Sequence, residues 1–178
     1  MLKISLMTLA IGAAFHTADS KAAVAYQVVW SNAVNYCQAF TPGVSNTIRN
    51  RVIGSENIGT ASIAVACNLA SFNNGAAGNA PIDAFVTYFT NTTAADVSVS
   101  CTMLTGTAGN LTGGSYVVPK TVTVPAGGSA GLGWDPSDNP TAGATDLGDG
   151  YAVGVNCILP QHVTLGLIGY EWQADNGV

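Results

Sequence analysis

Three segments of the chain alternate apolar and polar residues and carry a cysteine on the apolar side. The segments are Ser62–Leu69 with Cys67, Asp96–Leu104 with Cys101, and Tyr151–Leu159 with Cys157. Alternation with a period of two is typical of a β-strand with one buried and one solvated face. Because all three cysteines are in phase with the apolar positions, the pattern predicts a single β core stapled by disulfides.

The first 25 residues have the form of a secretory signal peptide. Lys3 precedes an apolar run, Ile4–Phe15, and Ala23-Val24-Ala25 has the small-x-small form of a signal-peptidase site. The run is shorter than the roughly 20 residues that a membrane span needs. We therefore predict cleavage after Ala25 and a single secreted or periplasmic domain over residues 26–178.

The four cysteines all follow the predicted cleavage site, and an even number in an exported chain indicates two disulfides. Four cysteines allow three pairings. The phasing of the strands favours Cys101–Cys157, which leaves Cys37–Cys67 as the second bridge. A zinc site is disfavoured, because the chain has no CxxC pair and residues 26–178 contain one histidine, His162.

Charged residues are scarce and mostly acidic. Residues 26–178 contain three basic and nine acidic residues, a net charge of −6. Such a surface repels nucleic acid and anionic lipid, so neither is an expected partner.

Further short β-rich segments are separated by turn residues. Ala80–Asn91 and Asp96–Leu104 flank a short turn, which predicts that they form a hairpin. Val117–Val124 contains Pro119 and is followed by Pro125, so we expect an edge strand. No segment of ten or more residues after the signal peptide has helical periodicity. The pattern predicts an all-β fold, an antiparallel β-sandwich of jelly-roll or Ig-like type with about eight strands.

The cysteine-containing segments also resemble a family of small exported proteobacterial proteins of unassigned function. The family pattern has an early cysteine, three strands that end in a cysteine, and a closing aromatic strand. In this chain the matching elements are Cys37, AVAC ending at Cys67, SVSC ending at Cys101, GVNC ending at Cys157, and GLIGYEW at 166–172. The chain departs from the pattern at Asn68, where the family usually has proline. The resemblance implies a β-sandwich with two disulfides and supplies no catalytic residues.

The sequence offers little for catalysis. It has no GxSxG motif, and His162 lies at a turn, where an exposed histidine without a catalytic role is the more ordinary interpretation. Asp83, Asp96 and Glu171 are not brought together by any pattern, so a paired-carboxylate mechanism is not indicated. We predict a protein that is not an enzyme.

The best candidate for a ligand site is an acidic loop that follows Trp134. Its carboxylates, Asp135, Asp138, Asp146 and Asp149, are the hard oxygen ligands that Ca²⁺ prefers, although the spacing fits no EF-hand and a solvated loop is the simpler interpretation. Calcium is therefore a cofactor hypothesis only. Trp134 belongs to a set of aromatic residues that either stack on a sugar or fill the core. The set is Trp30, Trp134, Trp172, Tyr88, Tyr116, Tyr151 and Tyr170.

Arg49 and Arg51 suggest a weaker anion site, with a solvated strand face as the alternative. Taken together, the residues favour a non-catalytic binding module for a glycan or another surface molecule, using Trp134 and the acidic loop. The alternative is a structural or surface-assembly protein that pairs through the edge strand at Val117–Val124. A small secreted hydrolase that uses His162 is a more distant alternative.

Overall fold

The computed structural model describes residues 24–40, 47–69, 82–106, 116–147 and 152–175. Eleven strands, one α-helical turn and one 3₁₀ turn (Pro136–Asp138) lie in these residues, and the strands and the α-helical turn are labelled here. In chain order they are β1 (Val24–Asn32), α1 (Ala33–Tyr36), β2 (Cys37–Ala39), β3 (Ile48–Arg51), β4 (Gly54–Asn57), β5 (Ile63–Leu69), β6 (Ile82–Asn91), β7 (Val97–Gly106), β8 (Tyr116–Val124), β9 (Ser129–Trp134), β10 (Ala152–Leu159) and β11 (Val163–Asp175). The predicted cleavage site lies at the start of β1, and residues 1–23 of the predicted signal peptide lie outside the described residues.

The strands form two antiparallel sheets that pack as a sandwich. Sheet A has the order β3-β4-β11-β6-β9. β1 also pairs with β11, on the same side of β11 as β4 but at different residues. Sheet B has the order β2-β5-β10-β7-β8. The predicted all-β sandwich is confirmed. Among the described residues no helix is long and apolar enough to cross a membrane.

The three cysteine strands predicted from the alternation are the central strands of sheet B. Cys101 lies directly opposite Cys157 in the β7–β10 pairing, and Cys37 lies opposite Cys67 in the β2–β5 pairing. The structure contains the disulfides Cys37–Cys67 and Cys101–Cys157. Both bridges therefore join neighbouring strands of one sheet.

The core lies between the two sheets and is built from the alternate residues that point inward. Phe85 and Phe89 on β6 and Ile168 on β11 project from sheet A. Val99 and Met103 on β7 meet them from sheet B, and all five side chains are buried. Large apolar side chains that leave water in this way supply most of the stabilisation of a domain of this size.

The predicted hairpin between the sixth and seventh strands is wrong. β6 pairs with β11 and β9 in sheet A, whereas β7 pairs with β10 and β8 in sheet B. The chain crosses between the sheets at buried Asn91, whose amide Nδ2 donates to the carbonyls of Ala95, Val124 and Pro125 at 2.8 to 3.2 Å. The Asn91 side chain thus stabilises the crossing by donating to carbonyls of the connection and of the end of β8.

Candidate functional site

Trp134 lies in the core. Its side chain is 1% exposed, its ring meets Phe85 edge-on with centroids 5.6 Å apart, and its Nε1 donates to the carbonyl oxygen of Val118 at 3.0 Å. This bond links β9 of sheet A to β8 of sheet B. In this position the ring presents no face to a ligand, and the stacking platform expected at Trp134 is not found there.

The acidic loop is held by local bonds. Asp135 caps a single 3₁₀ turn at Pro136–Asp138, and its Oδ1 accepts from the hydroxyl and the amide of Ser137, which lower the pKa of the carboxyl. Oδ2 of Asp138 accepts from Nζ of Lys120 at 2.6 Å and from the amide of Asp135 at 2.9 Å. The loop is anchored at its far end by the buried side chain of Leu147.

The calcium hypothesis concerns the carboxylates of this loop, three of which belong to described residues. Within those ranges no three carboxylate, histidine or cysteine side chains group as metal ligands. The carboxylates of Asp135 and Asp138 already accept bonds from protein donors, and the carbonyl oxygen of Asp146 accepts from the side-chain amide of Asn139. Asp149, the fourth predicted ligand, lies outside the described residues.

Arg51 and His162, which were also considered from the sequence, have local partners. Nε of Arg51 donates to buried Glu56 on the neighbouring strand, in place of an external anion. His162 adopts a left-handed backbone conformation, with φ of 59°, at the turn before β11. Its carbonyl accepts from the amide of Thr92 at 3.2 Å, and its ring contacts the side-chain amide of Gln161.

Exposed aromatic rings lie instead on the outer face of sheet A. Trp30 on β1 is 53% exposed and Tyr88 on β6 is 42% exposed. Their ring centroids are 5.9 Å apart with the planes tilted by 42°. The two rings and Leu167 on β11 line a shallow depression of about 390 Å³. We call these three residues the aromatic platform.

Glycines in the neighbouring strands allow both rings to lie against the sheet. Trp30 lies opposite Gly169, where an added Cβ would approach Cζ3 of the indole to 2.5 Å. Tyr88 lies opposite Gly131, where an added Cβ would approach Cε1 of the phenol ring to 3.1 Å. Both rings therefore rest on backbone that carries no side chain, which fixes their orientation and keeps their outer faces open.

Polar groups border the platform on two sides. Thr90 follows Tyr88 on the same face of β6, and its hydroxyl lies 3.0 Å from that of Ser129 on β9. On the other side of Trp30, a smaller depression of about 100 Å³ is lined in part by Val28, Val86 and Glu171. The face therefore combines apolar rings with hydroxyl and carboxylate groups at their edges.

The aromatic set was recognised in the sequence, but its exposed members were not distinguished from its buried ones. Trp134 is buried, and Trp172 is partly buried and packs against the core. The side chains of Tyr116 and Tyr151 lie outside the described residues. The alternation within β9 could have identified Trp134 as buried. Leu132 and Trp134 share one face of the strand, whereas glycines occupy the other face at 131 and 133.

Comparisons with known proteins identify no family. No family model and no curated protein matches the chain. One similar solved structure is a family 11 carbohydrate-binding module from Clostridium thermocellum in complex with a mixed-linked tetrasaccharide. It is 8% identical over 86% of this chain and 91% of that chain, with a TM-score of 0.36. TmCBM61 in complex with β-1,4-galactotriose is 8% identical over 83% and 84%, with a TM-score of 0.33.

A structure of Bacillus endospore appendages, described as disulfide-linked pili, is 13% identical over 97% of this chain and 98% of that chain, with a TM-score of 0.35. At these identities and TM-scores the three similarities carry no inference about the ligand or the role of this chain. The functional argument therefore depends on the site itself.

Proposed function

We propose that this protein is an exported, non-catalytic module that binds neutral carbohydrate on the aromatic platform. One observation carries the proposal: Trp30 and Tyr88 lie side by side, exposed, each laid against a glycine of the neighbouring strand. Exposed aromatic side chains grouped on one face are uncommon without a binding role, since burial of those rings would stabilise the fold.

The chemistry of the platform fits a sugar. The C–H groups on one face of a pyranose ring are apolar and pack on an aromatic face, whereas its hydroxyls point to the rim and need hydrogen-bond partners. The Thr90–Ser129 hydroxyl pair and Glu171 supply such partners at the border of the platform. A ligand that is both apolar on its face and polar at its edge matches this arrangement better than a purely apolar one.

The charge around the platform favours a neutral polymer. The depression beside Trp30 is lined by one acidic residue, Glu171, and residues 26–178 carry a net charge of −6. Anionic polysaccharides would be repelled at short range by Glu171 and at long range by the net negative charge of the domain. Neutral hexose and pentose polymers are therefore the expected class.

Export is proposed from the predicted signal peptide and from the two disulfides, which form and persist in oxidising compartments. Sequencing the amino terminus of the protein recovered from periplasm and medium tests this part. We expect the mature chain to begin at Tyr26, next to the predicted cleavage site.

Affinity electrophoresis tests carbohydrate binding. The native protein is run through gels that contain a soluble β-glucan, a galactan, a mannan or a xylan, with polygalacturonate as the anionic comparison. We expect retardation by at least one neutral polymer and none by polygalacturonate. Trp30→Ala and Tyr88→Ala should each lower the affinity obtained from the retardation at least tenfold. This is the change expected when a stacking ring that contributes about 1.4 kcal/mol or more to binding is lost.

Ile158→Ala is the matched control, because Ile158 is exposed to a similar degree but lies on sheet B. Its retardation should equal that of the native protein. Equal retardation of Trp30→Ala and the native protein, or retardation by polygalacturonate alone, would overturn the proposal. A melting temperature within a few degrees of the native value shows that each variant is folded.

A further inference from the structure

Most edge strands among the described residues carry a feature that discourages pairing with another chain. β2 is only three residues long. β3 presents two exposed arginines, Arg49 and Arg51. β8 contains Pro119, and its inward-pointing Lys120 reaches across to donate to the carbonyl of Gly133 on β9 at 2.9 Å. The edge predicted at Val117–Val124 is thus a real sheet edge, but it is protected.

β1 has none of these protections. It pairs with β11 along its full length from Val24 to Asn32, and in the described part of the chain no strand pairs with its other side. Tyr26–Asn32 contains no charge, no proline and no glycine, and it is rich in β-branched and aromatic residues. Such a segment at a sheet edge is a template for a further strand, because alternate backbone N–H and C=O groups along it lack a ladder partner.

We infer that this edge pairs with β1 of a second copy of the chain, antiparallel, with Val28 opposite Val28. The side chains of Tyr26–Asn32 carry no charge, and in this register the amino termini of the two processed chains lie at opposite ends of the pairing, so self-pairing brings no like charges together. This register places Tyr26 of each copy opposite Trp30 of the other, on the outer face of the sheet. Aromatic residues opposite each other are favourable cross-strand pairs.

The position of the β3–β4 turn supports this register. The side-chain amide of Asn32 donates to the carbonyl of Val52 in that turn at 2.8 Å, so the turn lies beside the end of β1. In the register centred on Val28, the processed second copy begins at its Tyr26, opposite Trp30 of the first copy. The added strand therefore ends before it reaches this turn. A strand centred further along β1 would bring Tyr26 of the partner against the turn.

Pairing of this kind closes on itself, because each copy uses the same edge and a two-fold axis relates the two strands. The two A sheets become one continuous sheet whose outer faces lie on the same side. Tyr26 of each copy then lies beside Trp30 of the other, so that the partner contributes a third ring to the aromatic platform. Dimerisation itself does not depend on the carbohydrate proposal, whereas this last consequence rests on it.

The association state of charge variants at Val28 tests the inference. Val28 is more than half exposed, so Val28→Lys and Val28→Glu are expected to fold. By light scattering after size exclusion, the processed native protein should be a dimer and each variant alone a monomer. Mixing the two variants should restore a dimer, since position 28 faces position 28 and the charges then attract. Ile158→Lys, on the outer face of sheet B, should remain a dimer.

A monomeric native protein would overturn the inference, and so would a dimer of either Val28 variant alone or a mixture that stays monomeric. If neither charge variant folds, Val28→Cys with a short bis-maleimide provides a second test. It should give a covalent dimer on a denaturing gel, and Ile158→Cys should not. Absence of the cross-link at position 28 equally overturns the proposed register.

Discussion

Tyr170 is a buried residue of β11 whose ionisation is linked to the fold. Burial, and to a smaller extent the neighbouring Tyr36, raise the pKa of Tyr170 to about 12 from a usual value of 10.0. The neutral phenol is therefore favoured in the folded state, and the unfolded chain loses this proton at lower pH. The contribution of the neutral Tyr170 phenol to the free energy of unfolding is complete below pH 10. It is lost as the pH rises from about 10 to about 12.

We expect the free energy of unfolding of the native protein to fall between pH 10 and pH 11.5 more steeply than that of Tyr170→Phe. Urea titrations of both proteins at a series of pH values measure the two slopes. Since one group is involved, the difference in slope should approach the value for one proton. Identical slopes would mean that Tyr170 ionises equally readily in the folded and unfolded states.

The tryptophans show how much of the candidate site the sequence can predict. Alternation within β9 is enough to assign Trp134 to the same face as Leu132, and hence to the core. Nothing local distinguishes Trp30 in this way, because the exposure of its face depends on β1 pairing with β11, which pairs on its other side with β6. Contact between Trp30 and Tyr88 joins residues 58 positions apart, which only the strand order determines.

At the scale of elements, the two disulfides fix neighbouring strands of sheet B. The bridges span 30 and 56 residues along the chain. In the loop-entropy model these closures contribute about 3.6 and about 4.2 kcal/mol, respectively. The longer bridge also lies between two central strands, whereas the shorter one ties down the three-residue strand β2.

We therefore expect Cys101→Ala/Cys157→Ala to lower the free energy of unfolding by about 4 kcal/mol, and Cys37→Ala/Cys67→Ala to lower it by slightly less. Urea unfolding at neutral pH measures both values. The loop-entropy ranking would be contradicted if removal of the shorter bridge lowered the free energy of unfolding clearly more than removal of the longer one.

Strand phase and cysteine position are local properties, and the sequence predicts them well. β5, β7 and β10 lie where the alternation places them, side by side as one disulfide-stapled group. Strand partners are not local, and here the prediction of a hairpin failed. A short turn such as Thr92–Asp96 indicates that the chain reverses, but it does not indicate whether the next strand stays in the same sheet. That depends on contacts between residues far apart in the sequence, such as those of Asn91 with the end of β8.

At the scale of the whole molecule, the proposed dimer places two platforms on one surface. A polymer that contacts both should dissociate more slowly than a ligand that contacts one, because the second contact forms at high effective concentration. The variants Val28→Lys and Val28→Glu allow this to be tested. Mixed in equal amounts they are expected to form dimers, and kept apart they are expected to be monomers, so the samples contain the same substitutions and differ only in association state.

We expect the mixture to dissociate at least tenfold more slowly than either separate variant from a surface coated with the neutral polysaccharide that binds the native protein. Surface plasmon resonance at low protein loading measures the dissociation rates. Equal rates for the mixture and the separate variants would show that the two platforms do not act together.

The distribution of covalent links also determines how the molecule responds to tension. Val24 pairs with Asp175, so the two ends of the described chain lie side by side, and a load applied to both would peel β1 from β11 one rung at a time. The strands of sheet B within the Cys37–Cys67 and Cys101–Cys157 loops cannot be drawn out while the bridges are intact. The pairing of β1 with β11, which no bridge protects, would therefore open first, and because Trp30 lies on the strand that separates, binding of a sugar polymer would fail before the rest of the protein unfolds.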